Sequence, residues 1–457
     1  MDNRDSSTSD LKNRIRHLIL IIVLGFFAIG VGMVYWTTIQ AQTILIRDDN
    51  PRIVDKEIAI QRGRILSTNG EVLAETITDG AITKRIYANG GGPAVGYYSI
   101  RHGTSGIEES HDPILRGTSG DYWTDYWRYD LLNQPRFGQD IRLTLDERWQ
   151  RAGDQLMGDQ SGAVILLSLP DLAIRAMVSK PDYDPNFLDE DFENLIDDFN
   201  APLLNRVTQG QYQPGMTLQP LIFAGALEKN LIELTDVVSE VNQRVRINSE
   251  YIECNSKING SPGWKEVLAG ACPGPNQEIA IDLGEEALEQ IFLDFGLTNA
   301  LQSNSPVDQV GETVIEDLLL SAVGYDRLII SPLELALAFS VLGNEGKLID
   351  AQLVDAIQGI SGEWQSPDLG QTVSSAISPE TADAIRGLLP IDRGIAEFNT
   401  SVISGPESTN NSWYLALAPA SDPLYAVVVV VENSDDPDDS KRVGRSLLRN
   451  VLEPKDS

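Results

Sequence analysis

The longest apolar stretch of the chain lies near its N-terminus. Leu18–Trp36 reads LILIIVLGFFAIGVGMVYW and contains no charged residue. A run of this length can cross a bilayer as a helix. Arg14 and Arg16 precede the run and Tyr35 and Trp36 close it, which is the usual order of a basic cytoplasmic flank and interfacial aromatic rings.

These flanks predict the membrane topology. Residues 1–17 are expected to form a cytoplasmic tail, residues 18–38 a transmembrane signal anchor, and the bulk of the chain is expected outside the cytoplasm as part of a single-pass cell-membrane protein. A cleaved signal peptide shares the basic flank. The apolar run is longer than a usual signal core and no clear small-x-small site follows it, so an uncleaved anchor is favoured.

Beyond the anchor the pattern changes to short strands and turns. Residues 39–55 read as a polar linker. Two short apolar runs then flank Thr68-Asn69-Gly70, and Asn-Gly between such runs predicts a β-hairpin. Short strands and Gly-rich turns continue to residue 145, so residues 56–145 are predicted to form a small α+β or mostly β domain.

The rest of the chain, residues 146–457, opens with strands, passes through helices and closes with strands and a helix. Residues 214–342 carry apolar residues at helical spacing, and Ser331-Pro332 is a helix start of the N-cap type. Leu424–Val431 is a solid apolar run, as expected for a strand covered on both faces. The other predicted elements are strands at Ala163–Ser168, Ala173–Ser179 and Trp413–Ala418, and a final helix at Ser440–Leu452.

Composition limits the function classes. With 457 residues the chain exceeds one hydrophobic core, so two or three domains are expected. A formal net charge of -32 disfavours contact with nucleic acid, whose phosphates it would repel. The acidic stretch Leu188–Phe199 is interpreted as a solvated surface helix or loop. Only three histidines are present, so no metal site is predicted, and no cofactor is predicted either.

The chain has two cysteines, Cys254 and Cys272. Outside the cytoplasm two cysteines often form a disulfide. Two free thiols are the alternative, and the sequence leaves both open.

Several segments of the chain occur in an order that is typical of one protein family. Together they resemble class B penicillin-binding proteins, most closely the penicillin-binding protein A type, and the resemblance covers nearly everything from Gln61 to Asn433. The matching segments are RGRI with NG and LA in residues 62–74, GYYSIRHGTSGIEESHDPILRG in 96–117, SGAVILLSLPDLAIRAMVSKPDYDPN in 161–186, NRVTQGQYQPG in 205–215, GYDRLIISPLELALAFSVLGNEGKL in 324–348 and WYLALAPASDPLYAVVVVVEN in 413–433.

The resemblance implies a membrane anchor, an α+β pedestal or dimerisation-like domain over residues 56–145, and a penicillin-binding transpeptidase-like domain over residues 146–457. That last domain is expected to be α/β, with an antiparallel sheet of about five strands flanked by helices and a helical subdomain. Family members cross-link peptidoglycan as D,D-transpeptidases. The resemblance also implies contact with a membrane-embedded peptidoglycan glycosyltransferase and other wall-synthesis proteins.

The first catalytic motif of the family is absent. Ser-x-x-Lys supplies a serine nucleophile at a helix N-terminus and a lysine base on the same helix face. The matching segment, QPGMTLQP, places Met216 and Gln219 at these two positions. A thioether cannot attack a carbonyl and a carboxamide cannot accept the proton. Met216 is therefore expected to fill the old pocket as a packing residue.

The other two motifs are also missing. The family's Ser-x-Asn aligns with Ala271-Cys272-Pro273, and Pro273 is expected to reshape a loop because it lacks a backbone donor. Lys-Thr-Gly aligns within residues 402–409, around Ile403, Ser404 and Gly405. Its lysine position falls on Ile403 or Gly405, depending on a small gap, and neither is a lysine. No catalytic residue is therefore assigned.

The expected function is non-catalytic: a membrane-anchored pseudo-transpeptidase of peptidoglycan synthesis that serves as scaffold or regulator of a wall glycosyltransferase. The main alternative is an active D,D-transpeptidase or carboxypeptidase that binds penicillin through unrecognised residues. A third reading is a receptor that holds muropeptides without turnover, which the loss of the carboxylate-binding lysine disfavours.

Overall fold

The structure, a computed structural model, divides into two compact units, Met1–Ile60 and Gln61–Ser457. The linker predicted over residues 39–55 and the last anchor residues lie outside the described part of the chain. The described residues are 5–35, 60–79, 82–88, 92–118, 136–247, 249–297, 315–359, 361–367, 372–404, 409–434 and 436–453.

The first unit is dominated by one helix, α1 (Asp5–Val34). Its segment Ile15–Val34 has the length and composition of a membrane span and buries none of its side chains against protein. The predicted N-terminal apolar helix is thereby confirmed, and it suits a single-pass membrane anchor.

The second unit contains the remaining helices and all strands that the structure describes. The helices are α2 (Gly92–Val95), α3 (Gly106–Ser110), α4 (Asp112–Leu115), α5 (Glu147–Met157), α6 (Leu188–Asp197), α7 (Gln219–Glu228), α8 (Trp264–Ala269), α9 (Pro273–Leu283), α10 (Glu285–Asp294), α11 (Leu318–Ser321), α12 (Pro332–Ser340), α13 (Pro379–Leu388) and α14 (Asp439–Leu452). The strands are β1 (Ile65–Leu66), β2 (Val72–Asp79), β3 (Ile82–Tyr87), β4 (Tyr98–Ser99), β5 (Gly103–Thr104), β6 (Ile141–Leu143), β7 (Gly162–Ser168), β8 (Ala173–Lys180), β9 (Val245–Ile247), β10 (Glu250–Ile252), β11 (Lys347–Ile349), β12 (Val354–Gln358), β13 (Trp364–Gln365), β14 (Thr372–Ser375), β15 (Ile391–Asp392), β16 (Ile395–Ser404), β17 (Thr409–Ala418) and β18 (Tyr425–Val431).

The pedestal is built on a sheet of order β13-β12-β6-β1-β2-β3. The predicted hairpin at Asn69-Gly70 joins β1 to β2 antiparallel, and Gly70 adopts a left-handed φ of +82° that favours glycine. β12 pairs antiparallel with β6, although it lies about 200 residues further along the chain. The sheet therefore crosses the predicted domain boundary at residue 145, so the pedestal and the large domain share a sheet.

The large domain contains a second sheet, of order β15-β16-β17-β18-β7-β8, in which every neighbouring pair is antiparallel. All four strands predicted for one sheet lie in it, as β7, β8, β17 and β18. The prediction of about five strands is confirmed, with the two-residue β15 as a sixth strand at the edge.

The valine-rich β18 explains how this sheet is covered. Val428 and Val430 point into a core shared with α7 and α12, while Val427 and Val429 belong to a core shared with α14. Side chains of a strand alternate between faces, so an unbroken apolar run indicates burial on both. The predicted two-sided coverage of this strand is confirmed.

The helix that packs on the inner face of this sheet, α12, begins as predicted. Ser331 accepts a hydrogen bond from the Glu334 backbone N–H, the Glu334 carboxylate accepts one from Ser331 N–H, and Pro332 occupies the first helical position. Every residue of α12 is buried. Such a helix fixes the core against which the neighbouring α7 is positioned.

Candidate functional site

The chain enters the former nucleophile segment through a tight turn at Gly215. Its φ is +53°, and a Cβ there would lie 2.6 Å from Val402 Cγ2, so both the conformation and the close approach require glycine. A single 3₁₀ turn, Gly215–Leu218, follows and leads into α7. Met216 therefore lies in the 3₁₀ turn, and α7 itself begins at Gln219.

Both former catalytic positions of this segment are buried. Met216 is 4% exposed and Gln219 is fully buried. The 3₁₀ turn that carries Met216 packs on β16, where Val402 approaches Gly215, and Gln219 is hydrogen-bonded to Cys272. The structure therefore brings together the three segments in which the sequence predicted the vestiges of the catalytic motifs.

Gln219 is held by hydrogen bonds to the second of these segments. Its Nε2 donates to the Cys272 carbonyl at 2.8 Å and to Asn276 Oδ1 at 2.9 Å. Its Oε1 is buried and has no hydrogen-bond partner among the described residues. A carboxamide held in this way cannot remove a proton from a nucleophile.

Asn276 extends this arrangement to a third loop. Asn276 Nδ2 donates to the Ala322 carbonyl at 3.0 Å, and the side chain is fully buried. Sequence reasoning missed this residue. Its signal was its position: it lies on α9 four residues after Cys272, one helical turn from the aligned motif.

The segment that replaces Ser-x-Asn has an unusual backbone. Ala271 adopts a left-handed φ of +47°, which is strained for a residue with a Cβ. Cys272 is the N-cap of α9, and Pro273 is its first residue, where the missing N–H has no intrahelical partner to lose. The expectation that Pro273 reshapes a loop is thus wrong, because Pro273 begins a helix.

The third segment borders the site through Ile403. Its backbone N–H donates to the Tyr325 hydroxyl at 2.9 Å, while Ser404 pairs with Thr409 across β16 and β17. Burial raises the pKa of the Tyr325 hydroxyl to about 12, although the hydrogen bond from Ile403 opposes the rise. Tyr325, which sequence reasoning also missed, is therefore protonated at neutral pH. Gly405 lies outside the described residues.

A disulfide lies beside the site. Cys254 and Cys272 are joined with an S–S distance of 2.06 Å. Asn255 N–H also donates to the Gly270 carbonyl at 2.7 Å, so the loop after β10 is fixed both to the end of α8 and to the N-cap of α9. This linkage restrains the backbone that accepts the hydrogen bond from Gln219.

The aligned positions of this site carry neither the serine and lysine of Ser-x-x-Lys nor the lysine of Lys-Thr-Gly. Thr217, next to Met216, is fully buried and its hydroxyl donates to the Pro214 carbonyl at 2.7 Å. Residues 214–228, 271–283, 321–330 and 395–404 contain no lysine. Within the part of the chain that the structure describes, no group of three or more His, Cys, Asp or Glu side chains could hold a metal ion.

Comparison with known families assigns this architecture. Residues 162–392, half of the chain, match the penicillin binding protein transpeptidase domain, and residues 62–141 match the penicillin binding protein A dimerisation domain. The chain therefore belongs to the penicillin-binding protein transpeptidase family.

Individual relatives support the same assignment. The chain is 27% identical to the peptidoglycan D,D-transpeptidase PbpA of Mycolicibacterium smegmatis, over 85% of this chain and 87% of that protein. It is 28% identical to PbpA of Mycobacterium tuberculosis over the same shares. The structure of M. tuberculosis penicillin-binding protein A as a penicillin G acyl-enzyme superposes with a TM-score of 0.77 at 26% identity, covering 86% of this chain and all of that one.

Proposed function

We propose that this protein is a catalytically inactive, membrane-anchored member of the family that acts in peptidoglycan synthesis as a scaffold or regulator of a wall glycosyltransferase. The observation that carries the proposal is Gln219. It occupies the position of the lysine base, it is fully buried, and both of its amide hydrogens are committed to Cys272 and Asn276. Loss of the base alone abolishes most acyl-transfer activity, because nucleophile and base act as a unit.

Two hydroxyl groups next to Met216 and Ile403 do not replace the missing pair. Thr217 is buried and bonded to a backbone carbonyl, and Tyr325 is protonated at neutral pH and bonded to Ile403. Among the described residues, neither hydroxyl is hydrogen-bonded to an acidic or basic side chain. An active enzyme that uses unrecognised residues in this site would need both a nucleophile and a group to take its proton.

A buried ion network joins described parts of the pedestal, which a scaffold would use. In the pedestal, Glu108 is fully buried between Arg62 and Arg85, with ion pairs of 2.8 and 2.7 Å. Arg62 also pairs with Asp112 at 2.6 Å. Arg85 Nη2 has no hydrogen-bond partner among the described residues, but the ion pairs to Glu108 and Asp112 hold both arginines in one arrangement.

The proposed arrangement in the cell follows from the anchor and its flanks. The basic tail of residues 1–17 remains in the cytoplasm, and the pedestal over residues 56–145 and the transpeptidase-like domain over residues 146–457 lie outside. The anchor and the pedestal then face a membrane-embedded glycosyltransferase. This contact requires none of the catalytic side chains.

Affinity purification tests the scaffold role. The full-length protein, tagged at its C-terminus, is purified in mild detergent from membranes of its own cells, and co-purifying proteins are quantified by mass spectrometry. A parallel sample carries the anchor of an unrelated single-pass protein in place of residues 18–38. We expect a polytopic wall glycosyltransferase to be enriched with the native chain and reduced with the exchanged anchor. Recovery of no wall-synthesis protein would contradict the scaffold role.

A further inference from the structure

The surface around α6 differs from a simple solvated helix. Residues 181–205 carry eight acidic residues and no lysine or arginine, against a chain average of about two net negative charges per 25 residues. The same stretch exposes large apolar side chains. Phe187 is 54% exposed, Ile196 56% and Phe199 100%. A solvated surface explains the charges but leaves these apolar side chains in water.

The apolar stripe of α6 is covered only at its N-terminal end. Leu188 is buried, and the ring of Phe192 stacks on His102 with centroids 3.7 Å apart. Further along, Leu195 is half-buried and Ile196 is exposed. The apolar side chains near the C-terminal end of α6, and Phe199 just beyond it, are therefore largely exposed to solvent.

The start of α6 is fixed to the pedestal. Asn186 accepts from the Tyr87 backbone N–H at 3.0 Å and donates to the Tyr87 carbonyl at 2.9 Å. Ser99 donates to the Asp189 carboxylate. The exposed apolar side chains are thus displayed from a tethered helix, which lowers the entropic cost of binding a partner there.

A cleft of about 980 Å³ adjoins this surface. Residues 182–186 before α6 and residues 202–205 after it both line the cleft, together with parts of α2, α3 and α5. Lys180 forms ion pairs with Asp154 and Asp182 at the edge of the cleft. The acidic residues that line the cleft still outnumber the basic ones, so its net charge is negative. An anionic ligand or an anionic lipid surface is disfavoured here by charge repulsion.

We propose that α6 and residues 198–204, the acidic-apolar surface, bind a basic amphipathic segment of a second wall-synthesis protein. Apolar side chains of that segment cover Ile196 and Phe199, and its lysines or arginines face the carboxylates that flank them. The inference rests on the proposed scaffold function and gives it a partner chemistry. The anchor and the pedestal are not required for this contact.

Peptide binding to the full-length protein in detergent tests the surface. The probe is a fluorescent 14-residue helix of lysine and leucine, and its counterparts replace lysine by glutamate or leucine by serine. We expect the Lys/Leu probe to bind. Two double variants should each weaken its binding at least tenfold: one combines Ile196→Ser and Phe199→Ser, the other Glu193→Lys and Asp197→Lys. Two controls lie on the exposed faces of α9 and α10. The single variant Ile281→Ser and the double variant Glu286→Lys with Glu289→Lys should each change the affinity for the probe less than twofold.

Photo-crosslinking in cells identifies the native partner segment. Phe199→p-benzoylphenylalanine should crosslink to a protein segment that is basic and amphipathic, and the same residue at Ile281 should not. Equal weakening by the control variants, an acidic or uncharged crosslinked segment, a lipid adduct, or no crosslink at Phe199 would overturn the inference. Penicillin labelling of the same samples reports on the proposed function separately: an antibiotic adduct with surface-specific peptide binding would overturn only the inactive role.

Discussion

The side-chain amide of Gln219 donates a 2.8 Å hydrogen bond to the backbone carbonyl of Cys272. In the alignment proposed from the sequence, these two positions correspond to the family's catalytic base and to the middle of its second motif. Here the contact is structural, because it ties the start of α7 to the N-cap of α9 inside a closed core. Under the proposed function, the aligned positions of a catalytic centre form a packed and hydrogen-bonded junction.

This junction should be sensitive to loss of the Gln219 amide. Gln219→Leu leaves the Cys272 carbonyl and Asn276 Oδ1 buried without their donor, so we expect the free energy of unfolding to fall by about 1–3 kcal/mol. Gln277→Leu is the matched control, because Gln277 lies on the exposed side of α9 with a longer bond of 3.2 Å to Leu319. It should change stability by less than about 0.5 kcal/mol. Urea denaturation of both variants measures the difference, and equal effects would refute a structural role for Gln219.

The pedestal network predicts a larger effect at Glu108. Glu108→Gln removes the charge that compensates Arg62 and Arg85 in a buried site, so we expect a loss of about 3–5 kcal/mol. Glu109→Gln changes the exposed neighbouring residue and should have little effect. The comparison uses the same urea titration. A Glu108→Gln variant as stable as Glu109→Gln would show that the network does not hold the pedestal together.

Asp326, beside Tyr325, predicts a pH-dependent contribution to stability. Burial alone would raise the pKa of this carboxyl, but hydrogen bonds from Ser321 and from the backbone N–H groups of Glu316 and Asp317 outweigh it and hold the pKa below its usual range. A carboxyl whose pKa is lower in the folded protein stabilises the fold at pH values above its unfolded-state pKa. This stabilisation is lost as the pH falls through the folded-state pKa.

Asp326→Asn should therefore be less stable than the parent at pH 7, and the gap should close below about pH 4. Denaturation at pH 7, 5 and 3 measures it. Asp422→Asn, at an exposed turn, serves as control and should show no such convergence. A difference in the free energy of unfolding between Asp326→Asn and the parent that stays constant with pH would contradict a lowered pKa of Asp326.

Much of the fold was predictable because local pattern and tertiary structure agree. Asn69-Gly70 makes its hairpin, Ser331 caps its helix, and the valines of β18 lie in a sheet buried on both faces. These features depend on neighbours in sequence or on a simple period. The alignment that assigns Met216 and Gln219 to the first motif rests on the flanking Gly215 and on strand patterns in the family order, and it stays a prediction.

The rest depended on contacts between distant residues. Nothing local to Asn276 or Tyr325 indicates that they bond to Ala322 and Ile403. β12 joins the pedestal sheet from beyond residue 350, so a boundary drawn along the sequence could not reveal it. Pro273 fits a loop and a helix start equally well in sequence, and only the course of α9 decides between them.

The most direct test of the inactive assignment is covalent reaction with a β-lactam, followed by intact-protein mass spectrometry of the full-length protein. We predict no mass increase after incubation with benzylpenicillin. Met216→Ser alone should also remain unmodified, since Gln219 cannot serve as base, and Met216→Ser with Gln219→Lys should give at most trace acylation because no lysine stands in residues 395–404. A stoichiometric penicilloyl adduct on the unaltered protein would contradict the account and establish an active enzyme.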